Sequence, residues 1–173
     1  MHAGAFDQSA VAQCADVLVF ATPPLEDELE VTGPVTVRLW IASDAPDTDF
    51  TAKLIDVYPP SADYPHGFAM NLTEGLLRVR YRDSWEQPIL MIPGEVYAIT
   101  IELFPVANVF CRGHRLRLDI SSSNFPHFDV NPNSGEPEGE WRQPRIARNR
   151  VFVSEERPSY ILLPFPPNAK RSV

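Results

Sequence analysis

The segment SSSNFPHFDVNPNSG, Ser121 to Gly135, holds the chain's densest set of side chains that could do chemistry. Ser121, or its neighbours Ser122 and Ser123, together with His127 and Asp129 supplies the residue types of a hydrolase triad. In such a triad a hydroxyl attacks, an imidazole takes its proton and a carboxylate orients the imidazole. Counted differently, Asp129, Asn131, Asn133 and Glu140 fall at positions 1, 3, 5 and 12 of a calcium-binding loop, all oxygen donors. The surroundings support neither pattern. A nucleophilic serine of the α/β-hydrolase kind needs the strained turn G-x-S-x-G, and no serine here has those glycines. His127 and Asp129 are too close in the chain to turn toward one nucleophile as base and carboxylate. In the calcium pattern the glycine needed at position 6 falls one residue late, at Gly135, and Pro132 and Pro137 stiffen the segment. The serines read better as a strand end and the rest as turns in which Asx side chains bond to the backbone.

Other candidates are sparser. His2, His66 and His114 stand singly, without a spacing that gathers three transition-metal ligands. Cys14 and Cys111 form no C-x-x-C, so two reduced thiols and a cytoplasmic setting are expected. Trp40, Trp85 and Trp141 could serve as stacking platforms for sugar or as anchors at a domain interface. Trp40 is expected to be buried in a strand, and the other two to sit in loops. Arg142, Arg145, Arg148 and Arg150 make the best basic patch, but a net charge of −8 opposes nucleic-acid binding and alternating arginines suit a strand's wet face. The sequon Asn71-Leu-Thr73 is short enough to arise by chance. No catalytic, cofactor-binding or metal-ligating residue is assigned, and no cofactor is expected.

The elements that must position these residues are strands. The length of 173 residues suits one domain. The apolar runs are too short to cross a bilayer, and the N-terminus lacks the pattern of a secretory leader, so no membrane partner is expected. Proline, at 18 residues, is about twice average usage and leaves little room for helices. Between the prolines run short alternating segments: Val17 to Phe20, Leu29 to Val31, Val35 to Ile41, Phe50 to Tyr58, Leu76 to Arg82, Tyr97 to Leu103, Leu116 to Ile120, Arg150 to Val153 and Tyr160 to Leu163. Within Leu76 to Arg82, Leu77, Val79 and Tyr81 are expected to face inward and Arg78, Arg80 and Arg82 outward. Gln8 to Cys14 could form a turn or two of helix. The fold expected is all-β, a jelly-roll β-sandwich of two antiparallel sheets with little helix.

Several of these segments, in this order, carry a family likeness: Asp16-Val-Leu-Val-Phe20, Leu29-Glu-Val-Thr-Gly-Pro34, Ser43-Asp-Ala-Pro-Asp-Thr-Asp-Phe-Thr-Ala-Lys-Leu54, Asn71-Leu-Thr-Glu-Gly75, Pro93-Gly-Glu-Val-Tyr97, Asn108-Val-Phe110, Gly113-His-Arg-Leu116 and Ser121-Ser-Ser-Asn-Phe-Pro126. Together they resemble the C-terminal domain of the X-prolyl dipeptidyl aminopeptidase and cocaine esterase (CocE/NonD) family of serine hydrolases, from about Gly4 to Pro166. The resemblance implies a galactose-binding-domain-like jelly roll over residues 16–167, with 1–15 as a lead-in from an α/β-hydrolase catalytic domain and 168–173 as a tail. It implies that this domain packs on the catalytic one, shapes its pocket for ester or amide hydrolysis, and leaves room for homo-oligomer contacts. The family's triad precedes the matched region, so none of its catalytic residues falls on this chain. The chain alone is expected to be inactive, either an excised piece or a separately encoded fragment. A free-standing carbohydrate- or protein-binding module is the alternative. Residues 57–70 are longer than the turn many members carry there.

Overall fold

A computed structural model describes residues 6–166; His2, the first part of the expected lead-in and the expected tail lie outside the described residues. The strands are β1 (Leu18–Ala21), β2 (Leu29–Ser43), β3 (Asp49–Tyr58), β4 (Phe68–Arg78), β5 (Val96–Phe110), β6 (Arg115–Ser121), β7 (Asn149–Phe152) and β8 (Tyr160–Leu162). Helix among the described residues is limited to 3-10 turns at Val11–Gln13 and Val79–Tyr81. One sheet has the order β1-β6-β3-β4 and the other β5-β2-β7, with β8 also on β2. All pairings are antiparallel. The all-β, two-sheet sandwich is therefore as the alternation requires. β7 and β8 lie end to end along one edge of β2, on Trp40 to Ser43 and on Thr36 to Arg38 respectively.

Period-2 patterning fills the core. Val35, Val37, Leu39 and Ile41 of β2 are 0–2% exposed, and Ile99 and Ile101 of β5 continue their layer. Phe50, Ala52 and Leu54 of β3, Leu77 of β4 and Ile120 of β6 face them from the other sheet. Each large side chain so buried contributes about 1.5–3 kcal/mol relative to exposure.

Three local expectations change. Leu29 to Val31 and Val35 to Ile41 are one strand, and Thr32-Gly-Pro34 between them carries a register shift between Gly33 and Val35. Gly33 adopts φ +132°, and a β-carbon there would come within 3.1 Å of the Pro164 ring. The Thr32 N–H donates to the Pro164 carbonyl at 3.1 Å, so the bulge receives the segment after β8.

The second change is at Leu76 to Arg82, where the strand stops at Arg78 and a 3-10 turn follows. Leu77 and Val79 are buried as expected, but Arg80 is only 6% exposed. Its guanidinium Nε donates to Asp47 Oδ2 at 2.8 Å, and its backbone N–H to Asp47 Oδ1 at 3.0 Å. A paired arginine can be buried where an unpaired one cannot.

Third, β6 is buried on both faces. Between Leu116 and Ile120, Arg117 and Asp119 are closed off too, joined by bonds of 2.8 and 2.6 Å. The N-terminal segment supplies the cover: Arg117 Nη2 donates to the Gln8 carbonyl, and the Gln8 N–H donates to the Ala69 carbonyl.

Candidate functional site

β6 ends at Ser121, and the segment beyond it returns across the same end of the sandwich toward β7. The suspected triad is not assembled there. Ser121 shares a hydrogen bond with Thr51 at 2.6 Å and donates to the Ser123 carbonyl, while the Ser122 hydroxyl accepts from Asn149 at 2.7 Å. These serines tie strand ends together, as their position in the sequence implies. His127 points to β4, where its Nδ1 bonds Glu74 Oε1. Asp129 is exposed. Burial alone would raise the Glu74 carboxyl, but the His127 bond and the nearby Lys53 charge hold it below its ordinary value.

The suspected calcium loop is taken apart in the same way. Asn131 is 4% exposed, and its amide donates to Asp47 Oδ2 at 2.9 Å and Asp49 Oδ1 at 2.6 Å. Its carbonyl oxygen accepts the Asn133 N–H, while Asn133 turns at φ +59° and donates to the Arg145 carbonyl. Asp129 and Glu140 face solvent. Among the described residues no three His, Cys, Asp or Glu side chains are grouped to hold a metal ion.

What the loop does engage is a buried charge cluster that the sequence did not announce. Asp47, Thr48 and Asp49 are 0–1% exposed although their segment, Asp44 to Asp49, reads as polar loop. Arg80 clamps Asp47, Arg78 grips Asp49 at 3.0 and 3.2 Å, and Asn131 bridges the two carboxylates. Burial pushes the Asp49 carboxyl up, and the Arg78 and Asn131 bonds only partly oppose it. Alternate arginines opposite alternate aspartates, D-x-D against R-x-R, were the available signal. The arrangement fixes the loop; every carboxylate oxygen of the pair already has a donor.

A second buried pair holds the hairpin between β3 and β4. His114 Nδ1 lies 2.8 Å from Asp56 Oδ1, and the Tyr58 ring covers the imidazole with centroids 4.3 Å apart. Tyr64 and Phe68 stack beside it at 4.9 Å. The longer segment between Asp56 and Asn71 thus forms an aromatic clasp on the β5–β6 turn.

The remaining features are apolar surfaces. β1 is exposed along its whole length, with Leu18 at 44%, Val19 at 40% and Phe20 at 39%. Between β1, β6 and β8 the sandwich opens into a hollow of about 310 Å3 whose walls include Phe20, Leu118, Ile161 and Leu163. At the opposite corner, where β4 meets β5, a wider hollow of about 560 Å3 lies between Trp85 and Phe104. Trp85 is 75% exposed and stacks on Tyr81 at 6.0 Å; Trp141 is exposed and Trp40 half-buried.

Comparison with known proteins identifies the kind of domain this is. Residues 3–162 match the family described as the X-Pro dipeptidyl-peptidase C-terminal non-catalytic domain. The chain is 42% identical over 163 residues to the cocaine esterase of Rhodococcus sp. (strain MB1 Bresler), covering 93% of this chain and 27% of that enzyme. An α-amino acid ester hydrolase superposes with a TM-score of 0.88 at 34% identity, over 94% of this chain and 27% of the other. The aminopeptidase of a marine sediment Thaumarchaeota archaeon gives a TM-score of 0.87 at 33% identity, over 92% and 27%. This chain thus spans about a quarter of the relatives it matches, and in them it corresponds to the domain C-terminal to the catalytic one. It belongs to the family of C-terminal non-catalytic domains of X-Pro dipeptidyl-peptidase and cocaine-esterase-type serine hydrolases.

Proposed function

We propose that this domain serves a serine hydrolase that cleaves esters or amides through an acyl-enzyme, by packing on the catalytic domain and walling part of its substrate pocket. One observation carries the reading: the apolar rim of β1 and β8, exposed around the hollow of about 310 Å3. Solvated, such a surface is unfavourable, and covering it is worth on the order of 25 cal/mol per Å2. In this reading the described residues supply no nucleophile, base, oxyanion hole or metal ligand to that chemistry, which belongs to the catalytic domain. A cytoplasmic setting belongs to the same proposal and is supported by the two free thiols; no helix among the described residues is long and apolar enough to cross a membrane.

The test is direct. The purified chain, assayed with p-nitrophenyl esters and an X-Pro-anilide, is expected to show no turnover, whereas turnover abolished by a serine-directed inhibitor would overturn the assignment. A second reading, a carbohydrate-binding module, draws on the exposed Trp85 face above its hollow. Oligosaccharide titration followed by Trp fluorescence separates the two: saturable quenching lost in Trp85→Ala supports the module.

A further inference from the structure

The chain carries 15 basic against 23 acidic residues, and it pairs arginines with carboxylates wherever it buries them. Arg78 binds Asp49, Arg80 binds Asp47 and Arg117 binds Asp119. The exposed Arg148 and Arg150 guanidinia, like those of Arg112 and Arg142, have no hydrogen-bond or ion-pair partner among the described residues, but these two come together. They border the same hollow, about 290 Å3, at the end of β2. Its floor is made of small residues, Ala42, Ser43 and Gly94. Gly94 adopts φ +88° with open space where a β-carbon would be, and its N–H holds the Ser43 carbonyl at 2.7 Å.

Two further groups shape the charge there. Ser43 is 3% exposed, and its hydroxyl oxygen accepts the Ala45 N–H at 3.1 Å, which leaves its own O–H to donate. Asp44 also lines the hollow, but its Oδ1 is engaged by the Arg148 backbone N–H at 2.8 Å. Two guanidinia against one carboxylate leave a net positive charge. Planar guanidinium forks match oxyanions, and charge-assisted bonds are roughly twice as strong as neutral ones.

We propose that Arg148 and Arg150, with the Ser43 hydroxyl, form a binding site for a compact oxyanion, a phosphate or a small carboxylate, over the Ala42–Gly94 floor. The proposal is independent of the hydrolase assignment and stands or falls separately from it.

The experiment is an NMR titration of the amide and arginine Nε–H resonances of the purified chain with sodium phosphate and, in a second arm, sodium acetate, each against sodium chloride at matched ionic strength. A saturable shift at Ser43, Gly94, Arg148 and Arg150 in either arm is expected, and the arm that saturates at lower concentration names the ligand class. Both arginines are exposed, so the double variant Arg148→Gln/Arg150→Gln should keep its Tm and weaken binding at least about tenfold, as loss of both charged donors requires. Shifts that chloride reproduces, or saturable shifts that survive in the folded double variant, would overturn the site; the chloride comparison decides the matter even if the variant does not fold.

Discussion

Asp47 and Arg80 show how strongly one partner depends on the other in a closed interior. Removing one member of a buried pair leaves the other desolvated, which costs about 3–5 kcal/mol, so Arg80→Met should lower the urea midpoint markedly. Arg148→Gln, on the exposed side of the same end, should change stability by no more than about 0.5 kcal/mol in the same unfolding experiment. Glu74 gives a pH dependence. Its folded carboxyl lies below the ordinary 4.5, so its ionised form contributes stability above that pH, and the contribution is lost as pH falls through the lowered folded value. Wild type should therefore lose Tm more steeply than Glu74→Gln below about pH 4.5, measured by thermal melts across acid pH. At this scale the sequence was partly legible. The missing G-x-S-x-G glycines and the close spacing of His127 and Asp129 argued against a triad with Ser121, and in the structure those side chains go to separate partners. Burial of Asp47, Asp49 and Arg80 left only the faint D-x-D and R-x-R spacing as a signal, because each reads as solvated until a partner distant in the chain is brought to it.

Strand identity followed from alternation, whereas strand ends followed from contacts that alternation does not encode. β4 ends at Arg78 because the chain must turn to carry Arg80 to Asp47, and β2 runs through Gly33 because Pro164 fills the space beside it. The β4–β5 corner depends on a comparable fit. A β-carbon on Gly75 would lie 2.4 Å from the Glu102 carbonyl oxygen, and the Thr73 hydroxyl already donates to the Phe104 carbonyl next to it. Gly75→Ala should thus push the two sheets apart there and cost about 1–3 kcal/mol, visible as a lowered Tm with cooperative unfolding retained. β1 behaves differently, as a short, neutral, apolar edge with no lysine or proline within it to discourage pairing. Because β1 is an exposed apolar edge, Val19→Lys should reduce concentration-dependent self-association in sedimentation velocity and leave the circular dichroism spectrum unchanged.

As a whole the molecule is a sandwich with an exposed apolar rim along β1 and β8, which fits a domain built to sit against another. Chelation should leave its melting temperature unchanged, since the Asx-rich loop spends its oxygens and amides on Asp47, Asp49 and backbone groups; a fall in Tm with EDTA would point to a bound cation instead. Alternation carried the two-sheet fold, and the family likeness carried the domain type, one that accompanies a catalytic domain in its relatives. The open seam was invisible in the sequence, because Leu18, Phe20 and Leu162 are the same residue types that fill a core. The end-to-end placement of β7 and β8 on β2 also bears on biosynthesis. At about 5–20 residues per second, the ribosome must go on translating for on the order of ten seconds after β2 emerges before β8 exists to cover its edge. Throughout that interval the nascent chain presents a long strand with an apolar face and an incompletely paired edge, making this stretch the place where a chaperone would matter most.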